Sequence, residues 1–126
     1  MGPAGASAFR LAQAFLAASR AGDIDTLLEV LAPGVVRRVD PELVGPDVAA
    51  EVRGAGAVAE ETRHFTDRAR VAAVLLVDGQ PGLVVAPRGR LQAVLRLTVA
   101  AGRITVVDVI GAPERLRRLA LTLPQT

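Results

Sequence analysis

The chain has 126 residues, 51% of them apolar, with three phenylalanines as its only aromatics and no cysteine. That suffices for one domain with an aliphatic core, and it excludes disulfides, a thiolate nucleophile and a cysteine-ligated metal. Fifteen basic residues, all arginine, face 13 acids for a net charge of +2, too small an excess and too few aromatics for direct nucleic-acid binding.

Residues 1–6 read as a loose leader. Ser7 is placed to cap a helix running to about residue 20, on which Phe9, Ala12, Phe15, Leu16 and Ser19 share one side at helical spacing. Asp23 is placed to cap a short helix over 24–31, with Ile24, Leu27, Leu28 and Leu31 inward. Pro33-Gly34 reads as a turn and 35–39 as a short strand. Two prolines and two glycines make 40–54 a loop with a helical turn near 47–52. A third helix is expected over 55–66, with Val58, Thr62 and Phe65 on its inner stripe.

The apolar runs 71–77, 82–86, 91–99 and 103–110 follow, separated by the turn sequences DGQP, PRGR and AAG. They read as a meander of antiparallel strands, closed by a short arginine-rich helix. Helices segregated on one face of such a sheet give an α+β fold. Leu91, Ala93, Leu95, Leu97 and Val99 alternate with Gln92, Val94, Arg96, Thr98 and Ala100, so one face of that strand is wholly apolar. The faces of the last strand depend on the hairpin register. A three-residue loop over 100–102 pairs Val99 with Arg103, sets Val107 and Val109 beside Leu95 and Leu97, and leaves Asp108 diagonal to Arg96 on the other face. A two-residue loop shifts the pairing by one and sets Asp108 among the apolar residues. The first is preferred, because the second buries a charge without a partner.

The helical opening with AGDIDTLLEVLAPGVV, the helix after VRGAGAV and the ending AAGRITVVDVIGAPERL resemble a SnoaL-like domain of the nuclear transport factor 2-like superfamily. Within it they are most similar to the C-terminal domain of extracytoplasmic-function RNA polymerase sigma factors. The resemblance implies a cystatin-like α+β cone: a curved antiparallel sheet of four long strands and a short one wrapped around three N-terminal helices. A single domain over 7–121 is expected, with a tail over 122–126. It further implies a role in tuning transcription initiation through sigma-factor or polymerase segments.

The cone would hold an apolar pocket lined by Phe9, Phe15, Phe65, Leu95, Leu97, Val107 and Val109. Arg37 and Arg38 point to opposite faces of the first strand, so one of them, Arg37 in the pocket reading, can hold a carboxylate or phosphate. The other sheet face, with Val94, Arg96, Ile104, Val106 and Asp108, is more apolar than a solvated face should be and is read as the interface of a homodimer. The leading function is therefore a non-catalytic ligand-sensing or interaction domain for an apolar small molecule. The alternative is a small polyketide-cyclase or ketosteroid-isomerase-like enzyme. By resemblance its general base would be Asp40, with the lone histidine, His64, or an arginine as electrophilic helper. The bland readings are a turn at Asp40-Pro41 and a surface residue at a helix end for His64. Arg115, Arg117 and Arg118 read as a solvated charge run. No residue spacing suggests a metal or cofactor site. No apolar run approaches the ~20 residues of a membrane span and no secretion signal is evident, so a cytoplasmic protein is expected.

Overall fold

A computed structural model describes residues 3–123. The elements are α1 (Pro3–Ala21), α2 (Ile24–Val30), β1 (Leu31–Val39), β2 (Glu51–Arg53), α3 (Ala55–Arg63), α4 (Thr66–Arg70), β3 (Ala72–Val77), β4 (Gln80–Val85), β5 (Ala93–Ala100), β6 (Arg103–Ile110), α5 (Pro113–Arg117) and β7 (Leu121–Thr122). They form an α+β fold around one curved seven-stranded sheet of order β2-β1-β6-β5-β4-β3-β7. All pairings are antiparallel except β1 with β6, which run parallel. No described helix is long and apolar enough to cross a membrane.

Helix α1 starts at Pro3, ahead of the Ser7 cap expected from the sequence, so Ser7 lies inside the helix. The leader read over 1–6 and the tail read over 122–126 fall partly outside the described residues. Asp23 does cap α2, accepting from the Thr26 N–H at 3.2 Å and the Thr26 hydroxyl at 2.6 Å. That helix is one residue shorter than expected because Leu31 turns extended into β1. Leu28, read as inward, is 40% exposed, while Leu27 and Val30 are buried. Pro33-Gly34 does not end an element; it sits in a register shift inside β1, between Leu31 and Val36. In the 40–54 loop the helical turn is at Pro41–Leu43 rather than 47–52, and β2 follows it. The third helix breaks at His64 and Phe65 and resumes as α4.

The β5–β6 hairpin combines features of both expected registers. Ala100 pairs with Arg103 across a two-residue loop, Ala101-Gly102, in which both residues have positive φ. That loop alone would have put Asp108 on the apolar face. A bulge at Thr105 corrects it: Val99 pairs with Ile104, but Thr98 pairs with Val106. Beyond the bulge Leu97 faces Val107, Leu95 faces Val109 and Arg96 faces Asp108. Ahead of it Ile104, read from the sequence as an outer-face residue, turns inward and is fully buried in the main core with Leu27, Leu31, Val58 and Val107. The predicted face of Asp108 holds, but its predicted partner does not: Arg96 pairs with Asp78, and Asp108 pairs with Arg115.

The main core lies between the helices and the concave face of the sheet. A second, smaller core covers the other face. There Val77, Val84 and Val94 are buried beneath Leu116, Leu119 and Leu121 of the chain's own C-terminal segment. The apolar outer face read as a dimer interface is therefore already covered at this end: Val94 is 0% exposed. Alternation along β5 revealed an apolar outer face; it could not reveal that α5 and β7 fold back over it.

Two aspartates hold that cover in place. Asp78 opens the β3–β4 turn at φ 50°. Its carboxylate accepts from the Ala120 N–H at 2.8 Å and from Arg96, and its own N–H donates to the Ala120 carbonyl at 2.8 Å. Asp40, at the end of β1, does the same for the start of α5.

Candidate functional site

Asp40 reaches across from the end of β1 to the β6–α5 junction. Its N–H donates to the Val109 carbonyl at 3.0 Å, continuing the parallel pairing past the last residue of β1. One carboxylate oxygen accepts from the Gly111 and Ala112 N–H groups at 2.9 and 3.0 Å. The other accepts from Arg115. Arg115 also donates to Asp108 at 3.1 Å, so one guanidinium bridges two carboxylates. Burial by itself raises the pKa of Asp40. The two N–H donors and the Arg115 charge outweigh it and hold the carboxyl below its ordinary value. A carboxylate so stabilised is a poor proton acceptor. Asp40 is not on the wall of the interior cavity described next, and neither is His64, which is exposed where α3 ends. The two residues of the enzyme alternative are thus not brought together around a common hollow.

That hollow, of about 90 Å³, lies between α1, the α3–α4 junction and the concave face of the sheet. Of the pocket residues read from the sequence, Phe15, Arg37, Phe65, Leu95, Val107 and Val109 line it. Phe9 and Leu97 do not: Phe9 is half-buried earlier on α1, and Leu97 is packed into the main core. The helix break at residues 64 and 65 puts Phe65 on the wall, where a continuous helix had been expected. Strand β4 and the α4 turn contribute wall residues that the sequence reading did not name, among them Leu83, Val85 and Ala69.

Among the described residues, four polar side chains reach this wall. Two are internally satisfied: Ser19 donates to the Phe15 carbonyl at 2.6 Å and Thr62 to the Val58 carbonyl at 2.7 Å. Arg68 donates to the Leu43 carbonyl at 3.0 Å and lies over the Phe65 ring. The i, i+3 spacing of Phe65 and Arg68 was the available sequence signal for that pair.

Arg37 is different. Strand alternation turns it inward and Arg38 outward, where Arg38 pairs with Glu51. Arg37 is 5% exposed. Its Nη2 donates to the Ala49 carbonyl at 3.2 Å and lies 3.9 Å from Glu61, beyond hydrogen-bond reach. Its Nε and Nη1 are buried and have no acceptor among the described residues. Burial draws its pKa down and Glu61 partly restores it, yet a guanidinium stays cationic in any protein. An under-compensated buried cation costs stability. Arg37→Met, which keeps much of the side-chain bulk without the charge, is therefore expected to raise the unfolding free energy of the unliganded protein by about 1–2 kcal/mol, read by urea titration; a loss of that size would mean the charge is compensated after all.

No protein-family model matches the chain. Over 111 residues it is 36% identical to the probable ECF RNA polymerase sigma factor SigI of Mycobacterium tuberculosis, a match covering 88% of this chain and 37% of that protein. The chain thus spans little more than a third of the curated relatives it matches. The crystal structure of the extracytoplasmic function sigma factor SigJ of Mycobacterium tuberculosis superposes with a TM-score of 0.70 at 24% identity, over 91% of this chain and 44% of that one. A protein with a cystatin-like fold from Methylobium petroleophilum PM1 gives a TM-score of 0.58 at 15% identity, over 94% and 86% of the two chains. At these identities the two structures speak for the fold alone. The likeness to extracytoplasmic-function sigma factors and to the nuclear transport factor 2-like, cystatin-like fold stands as read from the sequence.

Proposed function

We propose that this domain regulates sigma-factor-dependent transcription initiation, and that it does so as a non-catalytic module whose interior cavity takes a small molecule with an apolar body. The observation that carries the first half is the 36% identity to SigI, maintained over 88% of the chain. The second half is supported by the make-up of the hollow. Among the described residues its walls are apolar except for Ser19, Thr62, Arg37 and Arg68, and no carboxylate or imidazole lines it. Proton-transfer chemistry needs an acid or base within hydrogen-bond reach of the reacting group, whereas binding needs an apolar volume and a few oriented donors.

The test is transcription in vitro with core RNA polymerase and the promoter-binding regions of an extracytoplasmic-function sigma factor, with and without this domain joined to them. Output from a cognate promoter is expected to change at least three-fold. Identical output over the full range of sigma concentration would refute the regulatory reading.

A further inference from the structure

We infer that the cavity is selective for a short-chain aliphatic monocarboxylate, whose carboxylate is held by Arg37. The inference rests on the small-molecule half of the reading above and specifies the ligand's chemistry.

The argument starts from the unmet groups on Arg37. Nε carries one hydrogen and Nη1 two, and none of the three finds an acceptor among the described residues. Buried donors in native proteins are almost always paired. Compensation from the chain is incomplete: Glu61 is the carboxylate nearby, it stands 3.9 Å from Nη2, and its side chain is about one-third exposed. Nη2 is already bonded to Ala49. What remains is a cation with free donors set in a wall of Phe15, Val39, Leu95, Val107 and Val109. A ligand carboxylate supplies both missing features, negative charge and several acceptor lone pairs, and its bonds to a guanidinium are of the stronger, charge-assisted kind. A neutral carbonyl would supply acceptors without the charge. A phosphate dianion brings more charge than one half-compensated arginine balances. Arg68, also on the wall, has its Nη2 on the Leu43 carbonyl and its guanidinium over the Phe65 ring, whereas Arg37 has two buried nitrogens with no acceptor among the described residues and is the donor a ligand carboxylate would satisfy.

Size and wall chemistry set the rest of the ligand. An apolar cavity of about 150 Å³ accommodates the six carbons of benzene; in proportion, the 90 Å³ available here fits an alkyl chain of about three to four carbons. The satisfied hydroxyls of Ser19 and Thr62 leave nothing in the wall that calls for a second polar group on the tail.

The experiment compares butanoate with butanamide, its uncharged isostere, by NMR titration of the whole chain at pH 7, in the natural protein, in Arg37→Met and in Arg37→Lys. Butanoate is expected to bind at least ten-fold tighter than butanamide to the natural protein. Arg37→Met should abolish that preference while keeping weak binding of both. Arg37→Lys, which keeps the charge in a compact ammonium, should retain part of it and serves if the Met variant does not fold. Equal affinity for the two ligands in the natural protein would overturn the carboxylate inference and leave the small-molecule reading standing. So would a preference that survives in both variants. Binding of neither ligand would remove both.

Discussion

Asp40→Ala is expected to lower the unfolding free energy by about 3 kcal/mol, since hydrogen bonds to an ionised group each contribute about 1.5–3 kcal/mol and Asp40 accepts three. The carboxylate takes two N–H groups of the β6–α5 junction and the Arg115 guanidinium. Its removal leaves the Gly111 N–H in a buried position and frees Arg115 from one of its two partners. The discount from a simple sum reflects water reaching Ala112 and Arg115, which are only half-buried. The loss should also be local. Hydrogen exchange should speed up over 111–122, the segment that covers Val84 and Val94, more than over α1. Equal protection in the two proteins would mean that the junction does not depend on the carboxylate.

The pH dependence of this contribution has a definite sign. The folded protein holds the Asp40 proton less tightly than the unfolded chain, whose carboxyl titrates near the ordinary 3.8. Protonation therefore favours unfolding. The stabilisation from Asp40 is complete above that value and drains away as the pH falls through the lower folded one. The stability gap between the natural protein and Asp40→Asn should be widest at neutral pH and shrink below pH 4.

Gly82→Ala is expected to cost about 2–3 kcal/mol by overpacking. Gly82 lies in β4 opposite Arg96 and is buried. A methyl group there would stand 2.6 Å from the Leu95 carbonyl oxygen and 2.8 Å from a methyl of Val77. The first of these is backbone in the neighbouring strand, which cannot rotate away. Gly111 makes a useful contrast. A methyl there would press on Cγ and both Cδ atoms of Leu43, so that half-buried side chain must swing away as a whole, a shift that a side chain can make and a paired backbone carbonyl cannot. Gly111→Ala should accordingly be the milder of the two. Thermal denaturation of both variants orders them, and a larger loss at Gly111 would show that Leu43 is held more firmly than the β4–β5 approach.

What the sequence made legible was everything with a repeating signal. The helical spacing from Ala12 to Ser19 revealed the buried side of α1. Alternation in 91–99 and 103–110 revealed the two faces of β5 and β6, and turn residues at 78–79 marked a hairpin. Elements too short for any period, β2 and β7, were missed. The bulge at Thr105 escaped as well, because nothing in the local composition distinguishes a three-residue loop from a two-residue loop followed by a bulge. Ile104 was assigned to the wrong face for that reason, although Asp108 was not.

The candidate site was half legible. Strand alternation identified Arg37 and Arg38 as a pair divided between the two faces, and apolar periodicity found most of the walls. The role of Asp40 was out of reach. Its partners Gly111, Ala112 and Arg115 lie on the far side of the meander, and only the parallel pairing of β1 with β6 brings them together. Arg115 looked like one of three solvated arginines. Its difference from Arg117 and Arg118 is positional, set by where the first turn of α5 meets the end of β1.

That same parallel pairing bears on how the chain finds its structure. Val36 and Val106, about seventy positions apart, are register partners, whereas β3 through β6 connect locally, by two tight turns and one connection over 86–92. Closing so long a loop carries an entropic cost that no nearby contact offsets, and contacts of this range slow folding. On the ribosome β1 must wait for β6, about seventy positions further along. During that interval β2 can pair with one edge of β1, but the other edge of β1 stays open, the kind of exposed edge that aggregates. The β3–β6 meander is built from contacts near in sequence, and the β1–β6 pairing is one of the long-range contacts that tie it to the N-terminal elements.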